Sequence, residues 1–105
     1  MKSIINVSDF EWDGGNLAHC AAHGVSRVEI EALLRASPAI APDLAHSDAE
    51  DRFLAVGRTL CGRALFVAFT FRVKAGKRLI RPISARYMHR KEAEAYEKNR
   101  TQAEE

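Results

Sequence analysis

Two arginines in the last third of the chain, Arg81 and Arg86, have the side chains best suited to chemistry. A guanidinium presents five donors in a planar fork and grips a phosphate through two of them. Two such groups side by side would hold a phosphodiester and stabilise the charge that grows as an oxygen attacks phosphorus. In the plainer reading each pairs with an Asp or Glu from the first half of the chain, as arginines often do. His23, just ahead of Gly24, titrates near neutral pH. It has the chemistry to take a proton from a hydroxyl or to give one to a departing oxygen. It could equally close a helix by bonding to backbone.

Other cations surround this pair. Arg72, Lys74, Lys77 and Arg78 flank one hairpin, and Arg63 flanks the turn before it. They could track a nucleic-acid backbone or simply keep a hairpin tip solvated. Arg90 opens the last helix, and Tyr87 has a ring that could stack on an RNA base. Trp12 and Tyr96 read as core. From Arg58 to Lys91 there are ten Lys and Arg and no Asp or Glu, whereas residues 1–57 hold nine acidic side chains against four basic ones. The net charge of +2 therefore conceals a polarised molecule. A basic surface on the second half would attract RNA or an acidic protein.

Other chemistries find little support. There is no phosphate-binding glycine loop, no HExxH and no nucleophile elbow. Asp43, His46 and Asp48 share one polar loop, which is weak ground for a metal site, so neither metal nor cofactor is expected. Glu11 and Asp13 are lone carboxylates, and Glu29 is already explained as part of a helix cap. Cys20 and Cys61 have no CxxC spacing and read as small buried hydrophobes. No window approaches the roughly 18 apolar residues of a membrane span. The start of the chain lacks the apolar core of a signal peptide, so a cytoplasmic protein is expected. No helix-turn-helix is evident, which argues against direct reading of DNA.

The elements that must position these side chains follow from pattern. With 105 residues the chain is expected to form a single domain, 1–105, frayed at 101–105. Phe10 and Trp12 alternate as in a short strand, and Gly14-Gly15 breaks it. A short helix over 16–22 ends at His23-Gly24. Ser26 and Glu29 form a capping box for a helix over 27–36, with Val25 and Ile30 as its hydrophobic staple. Val28, Ala32, Leu33 and Ala36 are expected on its buried side, with Ile30 and Leu34 alongside. Strands are expected over 39–43, 53–59, 64–73 and 78–84, the last two joined by a basic hairpin turn. Pro82 makes the last strand an edge or a bulge, and Arg86 is expected to leave it at a turn. A helix over 89–100 closes the domain. The whole reads as α+β, a small twisted antiparallel sheet with two N-terminal helices and a C-terminal one.

Taken in order, these residues resemble the BrnT-like toxin family. The matching pieces are Phe10-Glu11-Trp12-Asp13, Asn16, His19, His23-Gly24-Val25-Ser26 and Glu29. They continue through His46-Ser47, Arg52, Val56-Gly57-Arg58-Thr59, Gly62-Arg63 and Ile83-Ser84-Ala85-Arg86, and finish at Arg90, Glu92 and Tyr96. The likeness spans residues 10–97. It implies a RelE-like fold and a ribonuclease toxin of a type II toxin–antitoxin system, neutralised by a cognate antitoxin from an adjacent gene. Operator DNA would be met only through that antitoxin. Together with the basic strands, it implies metal-independent cleavage by 2′-hydroxyl attack that inhibits translation, with His23, Arg81 and Arg86 catalytic. Ala22 departs from the family, many of whose members carry Lys or Arg there. The alternative is a weakened or inactive relative that serves as a protein- or RNA-binding module.

Overall fold

The structure is a computed structural model in which residues 9–36, 38–43 and 50–95 are described. In chain order the elements are β1 (Asp9–Phe10), α1 (Gly14–Ala21), α2 (Arg27–Arg35), β2 (Ala39–Pro42), β3 (Arg52–Arg58), β4 (Ala64–Lys74) and β5 (Lys77–Tyr87). A further helix, α3, is described over residues 90–95. The strands form one sheet in the order β1-β5-β4-β3-β2. The α+β class is as expected, with one correction. The first strand joins the sheet parallel to β5, so the sheet is mixed rather than antiparallel. The three pairs from β2 to β5 are antiparallel.

Local chemistry explains the helices. Ser26 caps α2 through the Glu29 amide, and the Glu29 carboxylate returns to the Ser26 amide at 3.1 Å. Val25 and Ile30, the two halves of the staple, are both buried. The first helix begins earlier than its glycines suggest. Asp13 accepts from the amides of Gly15 and Asn16, and the Asn16 side chain accepts from the Asp13 amide, which completes a second capping box. Gly14-Gly15 is thus the first turn of a capped helix.

The two helices cover one face of the sheet. Ile30, Leu33 and Leu34 of α2 meet Ala55, Leu65, Val67, Phe69, Ile80 and Ala85 of the strands in a continuous core. Fully burying one of these larger side chains contributes about 1.5–3 kcal/mol. Val28, Ala32 and Ala36 do not join them, contrary to expectation, because α2 turns its Ile30–Leu34 stripe inward and leaves Val28 76% exposed. Cys20 is buried as expected, but Cys61 is exposed, because it lies in the turn between β3 and β4.

One irregularity sets the geometry of the site. Ala68 pairs with Ser84 and Phe69 with Pro82, so Ile83 is an extra residue in β5. Proline cannot donate to the ladder, and a bulge is where a strand tolerates it. Beyond the bulge β5 runs on to Tyr87, so Arg86 sits within the strand and not at a turn leaving it. At the other end, the Ala75-Gly76 turn has positive φ at both positions, 52° and 77°, which suits the twist of a two-residue hairpin.

Candidate nucleic-acid interface

The bulge determines which side chains share a face. Residues five apart on a regular strand point to opposite sides, since the side-chain period is two. Arg81 and Arg86 are five apart, yet they pair with Thr70 and Phe66, which are four apart on β4. Directly paired residues lie on the same side of the sheet. Both arginines therefore project from the face opposite the core, separated by about 13 Å along the strands. By the same pairing Arg72, Lys74 and Lys77 share this side. Arg78 and Tyr87 do not, because they pair with Val73 and Leu65 on the helix-covered side.

Each arginine already has anionic partners. The Arg81 side chain, 19% exposed, places Nη1 3.0 Å from Glu11 and 2.9 Å from Asp13. Chiefly through the Asp13 bond, Arg81 is pushed above its ordinary range. Lys74 contributes most to holding the Glu11 carboxyl below its usual range, with Arg81 adding to it. Asp13 is held down mainly by Arg81 and also by the Asn16 amide. Asn16 completes this corner: it is buried, and its Nδ2 donates to the carbonyls of Glu11 and Pro82, both at 2.9 Å. The corner thus ties the start of α1 to β5 at the bulge.

Arg86 forms a two-pronged pair with Glu92 at 2.8 and 2.9 Å, and its guanidinium lies 4.9 Å from the Phe66 ring centroid. Those two bonds hold the Glu92 carboxyl down at about 2. Both side chains remain near 40% exposed, so water and solutes reach the pair. The partner is a second-half residue, whereas the plainer reading placed it in the first half. Glu92 reaches Arg86 because the chain reverses after Tyr87 into α3.

The remaining candidates fall in several places. The Tyr87 hydroxyl donates to the Glu29 carboxylate, 2.8 and 2.9 Å from its oxygens. That carboxylate raises the Tyr87 pKa. The guanidinium of Arg63 covers the Tyr87 ring at 3.4 Å, so the ring is not an open platform for a base. Arg78 lies over Phe71 at 3.8 Å. Arg72 pairs with Glu50 at 3.1 Å, Arg90 with Glu94 at 3.1 Å, and Lys77 is exposed at the hairpin. His23 is exposed in the turn between α1 and α2, beside Ala22 and a Gly24 whose φ of 79° favours glycine. His46 and Tyr96 lie outside the described residues. Among the described residues, no three His, Cys, Asp or Glu side chains converge as metal ligands, and no helix is long and apolar enough to cross a membrane.

The structure therefore brings Arg81, Arg86, Arg72, Lys74 and Lys77 to one face, with Arg63 and Tyr87 together elsewhere. The carboxylates that engage them were not legible as a set. Glu11 and Asp13 lie about seventy residues from Arg81 in the chain. Glu92 is a residue type favoured in the first turn of a helix, but that preference does not name its partner.

Comparison with known proteins adds one finding. A family model described as "Ribonuclease toxin, BrnT, of type II toxin-antitoxin system" matches residues 12–92. No curated protein matches the chain.

Proposed function

The chain belongs to the BrnT family of ribonuclease toxins of type II toxin–antitoxin systems, and from that premise we propose that it is a metal-independent endoribonuclease. In the proposed reaction the 2′-oxygen attacks the neighbouring phosphorus and the P–O5′ bond breaks. The 2′-hydroxyl proton goes to a base, and an acid returns a proton to the 5′-oxygen. The products are a 2′,3′-cyclic phosphate and a 5′-hydroxyl. Arg86 contacts the phosphate and stabilises its growing charge. The proton carrier expected from sequence, His23, lies in the α1–α2 turn, on the side of the sheet that the helices cover and not on the arginine face, and Arg81 stands behind the phosphate while bracing α1. Arg72, Lys74 and Lys77 follow the RNA backbone on the same face. Arg63, Arg78 and Arg90 meet RNA at the sheet ends, and Tyr87 serves there by seating Arg63 over its ring rather than by stacking on a base. Cleavage inhibits translation, and the partner protein is a cognate antitoxin from an adjacent gene. Operator DNA is reached through the antitoxin, and the protein works in the cytoplasm.

The observation that carries this reading is the bulge at Ile83, which turns Arg81 and Arg86 to one face despite their odd spacing. Arg86 is the more available of the two, because its bond to Glu92 is exposed and a phosphate can replace the carboxylate. End analysis of RNA cut in EDTA tests the reading: it expects cyclic phosphate and 5′-hydroxyl termini. Termini bearing 5′-phosphate would refute it.

A second reading has its own support. Both arginines are already neutralised, and Ala22 leaves His23 without an adjacent cation. A chain that binds its partner or RNA without cleaving would fit. Partner binding with no cleavage, in isolation or on ribosomes, would decide for it.

A further inference from the structure

Arg63 has a fixed seat and no anion. Its guanidinium carbon lies 3.4 Å from the centroid of the Tyr87 ring. Among the described residues, no carboxylate is hydrogen-bonded or ion-paired to it. The seat is itself tied down, because the Tyr87 hydroxyl donates to both oxygens of Glu29. Glu29 in turn accepts from the Ser26 amide and hydroxyl, at 3.1 and 3.0 Å, so its carboxylate is occupied at the cap of α2. Arg35 over Phe10 and Arg78 over Phe71 are stacked as well, but those rings carry no polar group to tether. Stacking uses the flat face of a guanidinium and leaves the N–H donors in its plane free to point outward. A depression of about 330 Å³ opens beside Arg63, lined in part by Gly62, Ala64 and Met88. The Glu94 carboxylate in its wall is held by Arg90 at 3.1 Å.

We propose that Arg63 binds a phosphodiester of single-stranded RNA, with Tyr87 and Glu29 as the residues that position it. The proposal rests on the RNA reading above and adds the course of the strand. Arg86 and Tyr87 are neighbours on β5 and face opposite sides of the sheet. A strand that contacts both Arg86 and Arg63 therefore crosses the sheet end where β5 stops. There it meets the first turn of α2, because Glu29 of that turn holds Tyr87. The α1–α2 turn that carries His23 runs directly into the same end of α2. The crossing thus leads RNA from the arginine face to the side where the expected proton carrier lies. RNA is favoured over a protein carboxylate by this continuity. A phosphate recurs at every nucleotide, so one strand supplies anions on both sides of the crossing without a defined sequence. The stacked guanidinium also has less freedom left to lose when it binds.

The test uses the full chain and a 2′-O-methylated oligonucleotide, which has no 2′-hydroxyl to attack with, and follows cutting of its unmodified twin alongside. Anisotropy over a salt series reads how many phosphates are held. Arg63→Ala, at an exposed position, should lower affinity several-fold and reduce the salt slope by about 0.7, the share of one phosphate on a single strand. Tyr87→Leu should cost nearly as much in the parent and nothing further in the Arg63→Ala background, since Tyr87 acts through Arg63. Tyr87→Phe keeps the ring and cuts the tie to Glu29, so it should cost less, and that loss too should vanish without Arg63. Arg27→Ala removes a cation paired with Glu31 on α2 and should leave the slope unchanged. An unchanged slope in Arg63→Ala, no binding by the parent, or equal losses from the Tyr87 variants with and without Arg63 would each overturn the proposal. So would an Arg63→Ala variant that loses affinity for inorganic phosphate, or for the protein encoded beside the gene, and keeps it for the oligonucleotide. A parent that shows the Arg63-dependent slope but cuts nothing would sustain the proposal and overturn the ribonuclease reading alone.

Discussion

Asn16→Ala should destabilise the protein by about 3 kcal/mol, because three hydrogen bonds are lost at about 1 kcal/mol net each. Nδ2 of Asn16 donates to the Glu11 and Pro82 carbonyls, and Oδ1 accepts from the Asp13 amide at 2.7 Å. The side chain is 5% exposed, so water does not readily replace it. The substitution also leaves the Pro82 carbonyl without this donor at the bulge, which pushes the cost upward. An unfolding entropy of about 2.1 cal/mol/K per residue gives roughly 14 °C of lost Tm for a chain of this size. Asn16→Asp sharpens the test. It keeps the acceptor and loses both donors, and its carboxylate would face two carbonyl oxygens. It should be at least as damaging as alanine. Thermal and urea unfolding followed by circular dichroism measure both variants. A loss below about 1 kcal/mol for alanine, or an aspartate variant as stable as the parent, would refute the bracing of β5 by α1.

Glu92→Gln should free Arg86 and raise affinity for a single-stranded RNA oligonucleotide several-fold, by about the strength of one charged contact; fluorescence anisotropy over a salt series reads this, and unchanged affinity would count against phosphate contact at Arg86. The same pair sets an acid response. The Glu92 pKa is lowered from 4.5 to about 2, so its stabilising effect is present above pH 4.5 and is lost as pH falls toward 2. Thermal stability of the parent should fall more steeply over that window than that of Glu92→Gln, and parallel curves would contradict it. Thiol titration should find Cys61 alone reactive in the folded protein. Cys20 is 2% exposed with its pKa pushed up to about 11, and should react only after unfolding.

How much of this was legible in the sequence depended on the range of the cause. The α2 cap, the staple and the hairpin arise within a few residues, and each formed where its pattern lies. Pro82 announced a bulge because a missing donor is a local fact. The parallel seat of β1 was hidden, since two residues carry no pattern and their partners lie about seventy positions away. Gly14-Gly15 reads as a breaker until Asp13 is recognised as a cap. Val28 and Ala32 fit one helical stripe and Ile30, Leu33 and Leu34 another, and only packing on β3 selects between them. The site was visible as cations and not as pairs. Residue type marks Arg81 and Arg86, but Glu11, Asp13 and Glu92 become their partners only through the fold.

The most direct test of the ribonuclease account compares the parent chain with Arg86→Ala on RNA in EDTA, after both are shown to be folded. The account predicts cleavage by the parent without metal and a loss of about a hundredfold or more in the variant, as when one stabilising donor is removed from a transition state. Equal cleavage by the two proteins, or cleavage that appears only when a divalent metal is added, would contradict it.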